Sequence, residues 1–184
     1  MIDLIQKNIS GKKVLLLFVL SNIVYLAMLI ITIPEVMHYS GGLKILDIMP
    51  TGYDSHYVGI LLDTLGIQGR YAYLHHQLLL DLVYPAFFGI SFCLVLAYFL
   101  NKLEKLNSPL FYLCLIPLFS GFIDYGENIG IISMLKNYPN ISLLQVQITS
   151  TFTVLKSILI SIYFIILSIT LLAVAKNKYF PKKD

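Results

Sequence analysis

The sequence carries little charge. Asp, Glu, Lys and Arg make up 12% of its 184 residues, whereas an average soluble domain carries about 25%. Hydrophobic residues make up 58% of the chain, which is typical of an integral membrane protein and leaves no room for a separate soluble domain. The net charge of +3 reflects lysines at the membrane edges, so we expect no nucleic-acid partner.

Common enzyme signatures are also missing. The chain has no G-x-S-x-G, no H-E-x-x-H, no Walker loop and no C-x-x-C, which excludes dinucleotide-binding and phosphate-cradling folds. Cys93 and Cys114 both lie in apolar runs, where a cysteine acts as a small hydrophobe rather than a disulfide partner or metal ligand. The sequence therefore indicates no metal ligand. It leaves open whether the protein binds a cofactor and whether an ion lies among the acidic residues.

Long apolar runs are what the chain does contain. A helix needs roughly 20 apolar residues to cross a bilayer, and four runs meet this length, at about 14–34, 72–100, 109–135 and 146–175. The loop 101–108 is short, so the second and third spans must be antiparallel neighbours. We predict an all-α, polytopic membrane protein: a single domain over 1–184, folded as an antiparallel bundle of four transmembrane helices.

The predicted outer loop, 35–71, contains a helical stripe. Apolar residues recur with helical spacing in 55–65, Asp54 or Ser55 can cap the start, and Gly66 or Gly69 can end the helix. We expect a short amphipathic helix at the outer face, either lying at the interface or folded over the bundle as a lid. A plain connector with an amphipathic turn is the alternative.

Basic residues predict the orientation. With both termini inside, the outer face holds three, Lys44, Arg70 and Lys136, and the inner face holds nine: Lys7, Lys12, Lys13, Lys102, Lys105, Lys176, Lys178, Lys182 and Lys183. Cytoplasmic loops carry the excess of Lys and Arg. This distribution predicts a plasma-membrane (inner-membrane) protein with both termini in the cytoplasm.

Ionisable residues within the spans form the candidate site. Asp124, Glu127 and Asn128 share one helical face. The helical rise places Asp81 and Lys156 each roughly 30 Å from the inner edge, and Asp124 about 22 Å from it. A charge in hydrocarbon needs a partner, a cavity or water. We predict that Asp81, Asp124, Glu127 and Lys156 meet as the catalytic or charge-carrying group, in the outer half of the bilayer.

Further polar residues would bind a ligand beside this group. Pro85 should kink the second span and free a backbone carbonyl near Asp81. Arg70 could reach in to balance the acids. The fourth span carries a stripe that runs through Thr153 to Lys156. The predicted ligand-binding residues are Arg70, Tyr73, Gln77, Tyr84, Asn128 and Thr153.

Each of these residues also has a structural interpretation. Asp81 and Lys156 would then form an ion pair that fixes helix register. Glu127 and Asn128 would sit in interfacial water, the tyrosines would anchor the chain at the membrane interface, and Arg70 would contact lipid phosphate. The threonines of the fourth span would bond only to their own helix backbone.

Three segments together resemble a group of uncharacterised membrane proteins. They are Gly66-Ile-Gln-Gly-Arg70, Asp81-Leu-Val-Tyr-Pro85 and Asp124-Tyr-Gly-Glu-Asn128. Their order, G-x-x-G-R, D-x-x-x-P, D-x-x-E-N, is similar to that in small bacterial four-span integral membrane proteins. The resemblance covers about residues 49 to 156; it implies the four-span layout and no particular activity.

Three functions fit these features. In the first, an outer-leaflet polar pocket binds or transforms a lipid-like small molecule, with Asp81 or Glu127 as general acid or base and Lys156 and Arg70 stabilising negative charge or holding a head group. In the second, the acids serve a proton- or ion-coupled transporter or one of its subunits. In the third, the protein is structural. Membrane lipid is the expected partner, and a homo-oligomer stays open, as does whether the protein is an enzyme.

Overall fold

The computed structural model of the protein describes residues 2–179, and within that range the chain is helical with no strand. A short helix, α1 (Ile2–Gln6), precedes four helices that are long and apolar enough to cross a membrane. These are α2 (Gly11–Tyr39), α3 (Ser55–Lys102), α4 (Pro109–Asn137) and α5 (Leu143–Tyr179). The prediction of an all-helical chain with four apolar helices is confirmed. Lys182 and Lys183, which the orientation used, lie outside the described residues.

Three of the long helices change geometry along their length. In α2, a π turn (Met28–Thr32) separates Gly11–Ala27 from Ile33–Tyr39. In α3, Ser55–Ala72 is followed by a π turn (Tyr73–Gln77), a single turn Leu78–Asp81 and the segment Tyr84–Lys102. In α4, a 3₁₀ segment (Pro109–Leu115) leads into Ile116–Asn137, and a 3₁₀ turn (Leu46–Ile48) lies between α2 and α3.

The first long helix ends later than the sequence predicted. It continues through Pro34 to Tyr39, because Pro34 falls in the first turn of Ile33–Tyr39, where a missing backbone N–H costs nothing. The predicted span therefore stopped at a residue that instead starts the next helical segment.

The amphipathic segment 55–65 is helical, and a kink at Gly66 separates it from the rest of α3. Asp54 caps it, since its Oδ1 accepts a 2.8 Å hydrogen bond from the Tyr57 amide. Its apolar stripe, Val58, Leu61, Leu62 and Leu65, is buried, and the segment packs against Ile33–Tyr39. At Gly66 the backbone leaves the helical region, with φ 60° and ψ −170°, a conformation open mainly to glycine. The amphipathic helical segment therefore ends at one of the two glycines predicted to end it, and a second helical segment of α3 follows. The predicted second span, from residue 72, follows this part of the chain directly, without the loop that the sequence predicted before it.

Helices α3 and α4 approach closely through glycines. A Cβ on Gly121 would lie 2.8 Å from the Pro85 carbonyl oxygen, and one on Gly89 would lie 3.2 Å from the Pro117 carbonyl oxygen. Small residues at such crossings let two helix backbones pack directly. This contact places Asp81, four residues before Pro85, beside the polar part of α4.

Two apolar clusters lie at opposite ends of the helices. One is built from Ile33–Tyr39, the first half of α3, the end of α4 and Val146. The other is built from the second half of α3, the beginning of α4 and Tyr163 of α5. Between them, at the middle of α3, α4 and α5, the buried side chains are mostly polar. We refer to this middle set as the polar layer: Gln77, Asp81, Ser120, Asp124, Glu127, Asn128, Thr149, Thr153 and Lys156.

Candidate functional site

An ion triad forms the centre of the polar layer. The Lys156 ammonium lies 3.0 Å from Asp124 Oδ1 and 2.5 Å from Glu127 Oε2. The first contact is a hydrogen bond. The second is an ionic contact without hydrogen-bond geometry, so Glu127 Oε2 has no directed donor. Asp124 is 6%, Glu127 0% and Lys156 8% exposed. Removing one member would leave an uncompensated buried charge, which is strongly destabilising.

Thr153 links the triad to the segment before α3. Its hydroxyl donates a 2.9 Å hydrogen bond to Glu127 Oε1 and lies 3.5 Å from the Tyr53 hydroxyl oxygen. Burial raises the pKa of Tyr53 above its usual range, so this phenol stays neutral. Thr153 is also 3.2 Å from the Thr149 carbonyl of its own helix. Thr153 therefore makes the contact to another helix that the functional interpretation predicted. It also makes the bond to its own helix backbone that the structural interpretation predicted.

The turn that carries Tyr53 is fixed against α5. The Tyr53 amide donates a 2.9 Å hydrogen bond to Ser150 Oγ. Gly52, with φ +82°, lies so close that an added Cβ would stand 2.6 Å from the same oxygen. A side chain here would strain the backbone and push the turn off α5. Gly52 therefore keeps the turn, and with it Tyr53, against α5.

Asp81 is positioned by the break in α3. Pro85 has no amide hydrogen, so the Asp81 carbonyl lacks the donor it would have in a regular helix. Asn128 Nδ2 of α4 supplies a 2.9 Å hydrogen bond to that carbonyl instead. The prediction that Pro85 frees a carbonyl near Asp81 is confirmed, and the structure adds that Asn128 occupies it.

Asp47 belongs to the site, and the sequence analysis missed it. Its Oδ2 accepts a 2.7 Å hydrogen bond from the Tyr73 hydroxyl, whose oxygen accepts a 3.0 Å bond from the Leu46 amide. Asp47 and Asp81 line the same cavity. The sequence does show an acidic residue between two apolar ones, Leu46 and Ile48. It lies in a loop without periodicity, so nothing in the sequence indicates that its side chain faces α3.

Several buried polar atoms of the site lack a partner among the described residues. Asp81 Oδ2, Asp47 Oδ1, Gln77 Nε2 and Asn128 Oδ1 are all shielded from solvent without a hydrogen bond. Asp81 is 3% exposed and Gln77 is fully buried. Buried polar groups are normally satisfied, and those that are not call for an explanation such as a bound molecule or water. An ionised carboxylate only accepts hydrogen bonds, so the two carboxyl oxygens can be satisfied by a bound donor or a cation.

A cavity of about 420 Å³ opens beside these atoms. Its charged lining is Asp47, Asp81, Asp124 and Lys156, and its other walls are mostly apolar and aromatic. The lining comes from α2, the loop after α2, α3, α4 and α5. Of the predicted ligand-binding residues, Gln77 and Tyr84 line it. Gln77 is held by a hydrogen bond from Thr32 to its Oε1.

Some predicted residues lie elsewhere. Arg70 does not reach the acids: its guanidinium carbon lies 4.4 Å from the centre of the Tyr138 ring and its Nη1 donates a 2.6 Å bond to the Leu62 carbonyl. The kink at Gly66 turns this part of α3 toward the end of α4, which explains the misplacement. Tyr73, Asn128 and Thr153 do not line the cavity. Their hydrogen bonds instead hold other residues of the site in position.

The predicted register pair is also corrected. Within the part of the chain that the structure covers, the ion pairs of Lys156 go to Asp124 and Glu127 and not to Asp81. Asp81 and Lys156 still line the same cavity. The reason is that α5 makes its main contacts with α4, which brings the acids of α4 beside the ammonium.

No group of three or more His, Cys, Asp or Glu among residues 2–179 is arranged to hold a metal ion. Comparison of the chain with protein-family models, with curated proteins and with solved structures found no match. The assignment of function therefore rests on the cavity and its residues.

Proposed function

We propose that this protein binds or transforms a lipid-like small molecule in the cavity beside its polar layer. The observation that carries the proposal is the composition of the lining: a few converging polar groups, Asp47, Asp81, Asp124 and Lys156, on otherwise apolar walls. Small-molecule sites have this character and enclose roughly 300–1,000 Å³, which includes the volume of about 420 Å³ found here. A ligand with an apolar body and one polar end fits both parts.

The roles of the acids follow from their access to the cavity. Asp81 and Asp124 line it, whereas Glu127 is buried behind Lys156. If the protein is an enzyme, Asp81 is the general acid or base, because it faces the cavity and is not engaged by Lys156. Glu127, the other candidate for this role, instead holds Lys156 in place together with Asp124.

The same proposal includes the membrane arrangement. Gly89 faces Pro117 while Pro85 faces Gly121, which supports an antiparallel packing of α3 and α4. We place the polar layer in the outer half of the bilayer, the segment 55–65 at the outer face and both termini in the cytoplasm of a cell bounded by a plasma membrane, as the distribution of basic residues favours.

A proton- or ion-coupled transporter is less well supported. The apolar cluster beyond the cavity is built from side chains such as Leu96, Cys93 and Cys114, so the acids have no visible continuation toward that end among the described residues. A purely structural role accounts for the ion triad but not for Asp81 and Asp47, whose carboxyl oxygens lack partners.

The test is whether a lipid-like molecule accompanies the protein. The wild type is purified in detergent, extracted with organic solvent and analysed by mass spectrometry. We expect one ligand at near-stoichiometric amount, and about tenfold less of it in Ser157→Phe, since Ser157 lines the cavity and a phenyl ring would fill it. We expect a similar loss in Asp81→Asn. Its matched control is Glu104→Gln, which removes an exposed carboxylate.

The outcomes separate the proposals. Loss of the ligand in both Ser157→Phe and Asp81→Asn, with full retention in Glu104→Gln, supports the cavity as its site. An equal ligand content in all four proteins would overturn the proposal. Dissipation of a pH gradient in vesicles that contain the wild type, lost in Asp81→Asn, would favour the transporter instead.

A further inference from the structure

We propose that the ligand of this cavity is an organic cation with an apolar body, such as an alkylammonium amphiphile. This inference rests on the proposed function and names its ligand class. It reverses the expectation that Lys156 and Arg70 hold an anionic head group, and the first reason is the position of Arg70, which stacks on Tyr138 away from the cavity.

The charges of the lining favour a cation. Three acids and one lysine face the cavity, and the lysine is already occupied. Its ammonium contacts Asp124 Oδ1 at 3.0 Å and Glu127 Oε2 at 2.5 Å, so two carboxyl groups already share this one ammonium. An anionic head group entering here would meet carboxylates whose charge no free cation balances.

Asp81 and Asp47 supply the attachment point. Each has a carboxyl oxygen without a partner, and Asp81 is 3% exposed. Both residues line the same cavity, and a cation placed between two carboxylates stabilises both. The positive charge of an ammonium group beside them compensates ionised carboxylates and does not require an N–H.

Aromatic rings continue from this point along the cavity. We refer to Tyr25, Tyr84, Phe88, Phe92 and Phe164 as the aromatic wall. Successive ring centroids lie 5.6 Å apart for Tyr25 and Tyr84, 5.8 Å for Tyr84 and Phe88, and 4.6 Å for Phe88 and Phe92. Phe164 lies 5.7 Å from Phe92. Aromatic faces attract organic cations, most strongly where water is excluded.

The cavity is open from the side of the helices. Its lining includes Tyr25 of α2 and Phe164 of α5, and each of these rings is 42% exposed, so they stand at its rim. Helix α2 makes its main contacts with α3, and α5 makes its main contacts with α4. An amphiphile can therefore enter between α2 and α5 from the lipid, with its apolar body following the aromatic wall.

A metal ion is a poorer fit for the same charges. Residues 2–179 contain no group of three or more His, Cys, Asp or Glu arranged around one point. Three of the five rings that line the cavity are phenylalanines without any ligand atom, whereas a hard cation prefers several oxygen ligands. The rings suit a large, weakly hydrated ammonium.

The experiment compares three probes of equal chain length. Octyltrimethylammonium, octyl sulfate and octanol are titrated by calorimetry into the full-length protein in nanodiscs of phosphatidylcholine, with empty nanodiscs subtracted. We expect the cation to bind about tenfold more tightly than octanol, and the sulfate not to bind measurably. Asp81→Asn and Tyr84→Leu should each weaken the cation by about tenfold, and Glu104→Gln and Tyr84→Phe should not.

Each result decides something. If octanol or octyl sulfate binds as tightly as the cation, this inference is wrong while the proposed function stands. If none of the three binds and no ligand co-purifies, both are wrong. Displacement of the cationic probe by sodium but not by choline would overturn the inference in favour of an inorganic ion. Thermal unfolding of each variant identifies any that fails to fold, and Tyr84→Leu, which leaves every charge in place, then carries the test.

Discussion

The polar layer and the apolar cluster around Cys93, Cys114 and Tyr163 are built from the same three helices. In the polar layer, neighbouring helices are joined by an ion triad and by side-chain hydrogen bonds. In the apolar cluster they are joined by packing, by aromatic contacts and by the 2.8 Å bond from Tyr163 to the Phe92 carbonyl. Specific partners matter in the first region, whereas shape and volume matter in the second. We therefore look for the function of the protein in the polar layer, where stability depends on particular side-chain atoms.

The largest expected effect is the removal of the buried cation. Lys156→Met leaves Asp124 and Glu127 without their cation, and we expect it to lower the free energy of unfolding by about 3–5 kcal/mol. Denaturation in mixed micelles, followed by circular dichroism, measures this change. Lys176→Met, at an exposed position on the same helix, is the control. If the two variants unfold alike, Lys156 is not the centre of the polar layer.

A smaller effect is expected where α3 and α4 touch. Gly121→Ala places a methyl group 2.8 Å from the Pro85 carbonyl oxygen, and backbone cannot yield as a side chain can. We expect a loss of about 1–3 kcal/mol in stability, together with weaker ligand binding, because Asp81 shifts. Gly59→Ala has open space around the new Cβ and should leave both measurements unchanged; a loss equal to that in Gly121→Ala would mean that helix contact is not the cause.

Two interhelical hydrogen bonds, one in the polar layer and one in the apolar cluster, allow the two regions to be compared directly. Asn128→Ala leaves the Asp81 carbonyl without its donor, because Pro85 supplies none, and should cost about 1–3 kcal/mol. Tyr163→Phe removes the bond to the Phe92 carbonyl, which still accepts an amide hydrogen within its regular helix, and should cost about 0.5–1.5 kcal/mol. The same unfolding assay ranks the two variants. The reverse order would contradict the account of the break in α3.

The smallest effect is expected in the apolar cluster. Cys93→Ala and Cys114→Ala each remove one buried sulfur, so we expect a loss of about 1 kcal/mol for each and no change in ligand content. Mobility of the wild type on non-reducing gels should match that on reducing gels. A large loss of bound ligand in either variant would show that the cavity extends into this cluster.

Part of the site could be predicted from the chain alone. Ionisable residues in apolar runs are costly unless they meet, and helical rise placed Asp124, Glu127 and Lys156 at a common level, where the structure joins them. Pro85 predicted the free carbonyl of Asp81 because a missing amide hydrogen is a local property. The roles of these residues stay predictions.

Other parts could not be predicted. Asp47 lies in a loop, where no periodicity fixes the direction of a side chain, and its place beside Asp81 depends on how that loop folds back. Arg70 was misplaced because the kink at Gly66 rotates the residues that follow it. The partner of Lys156 was misassigned because the depth of a residue along its helix axis does not say which neighbouring helix supplies the contact.

By itself, the sequence determined that the chain is helical, that four segments are apolar enough to cross a membrane, and that charged groups inside them need partners. These follow from composition and from the repeat of the helix, which are properties of short stretches. Only the tertiary structure decided which charges are paired, which oxygens are left facing a cavity, and that aromatic rings line it. Those depend on the rotation of each helix about its axis, and contacts between distant segments fix that rotation.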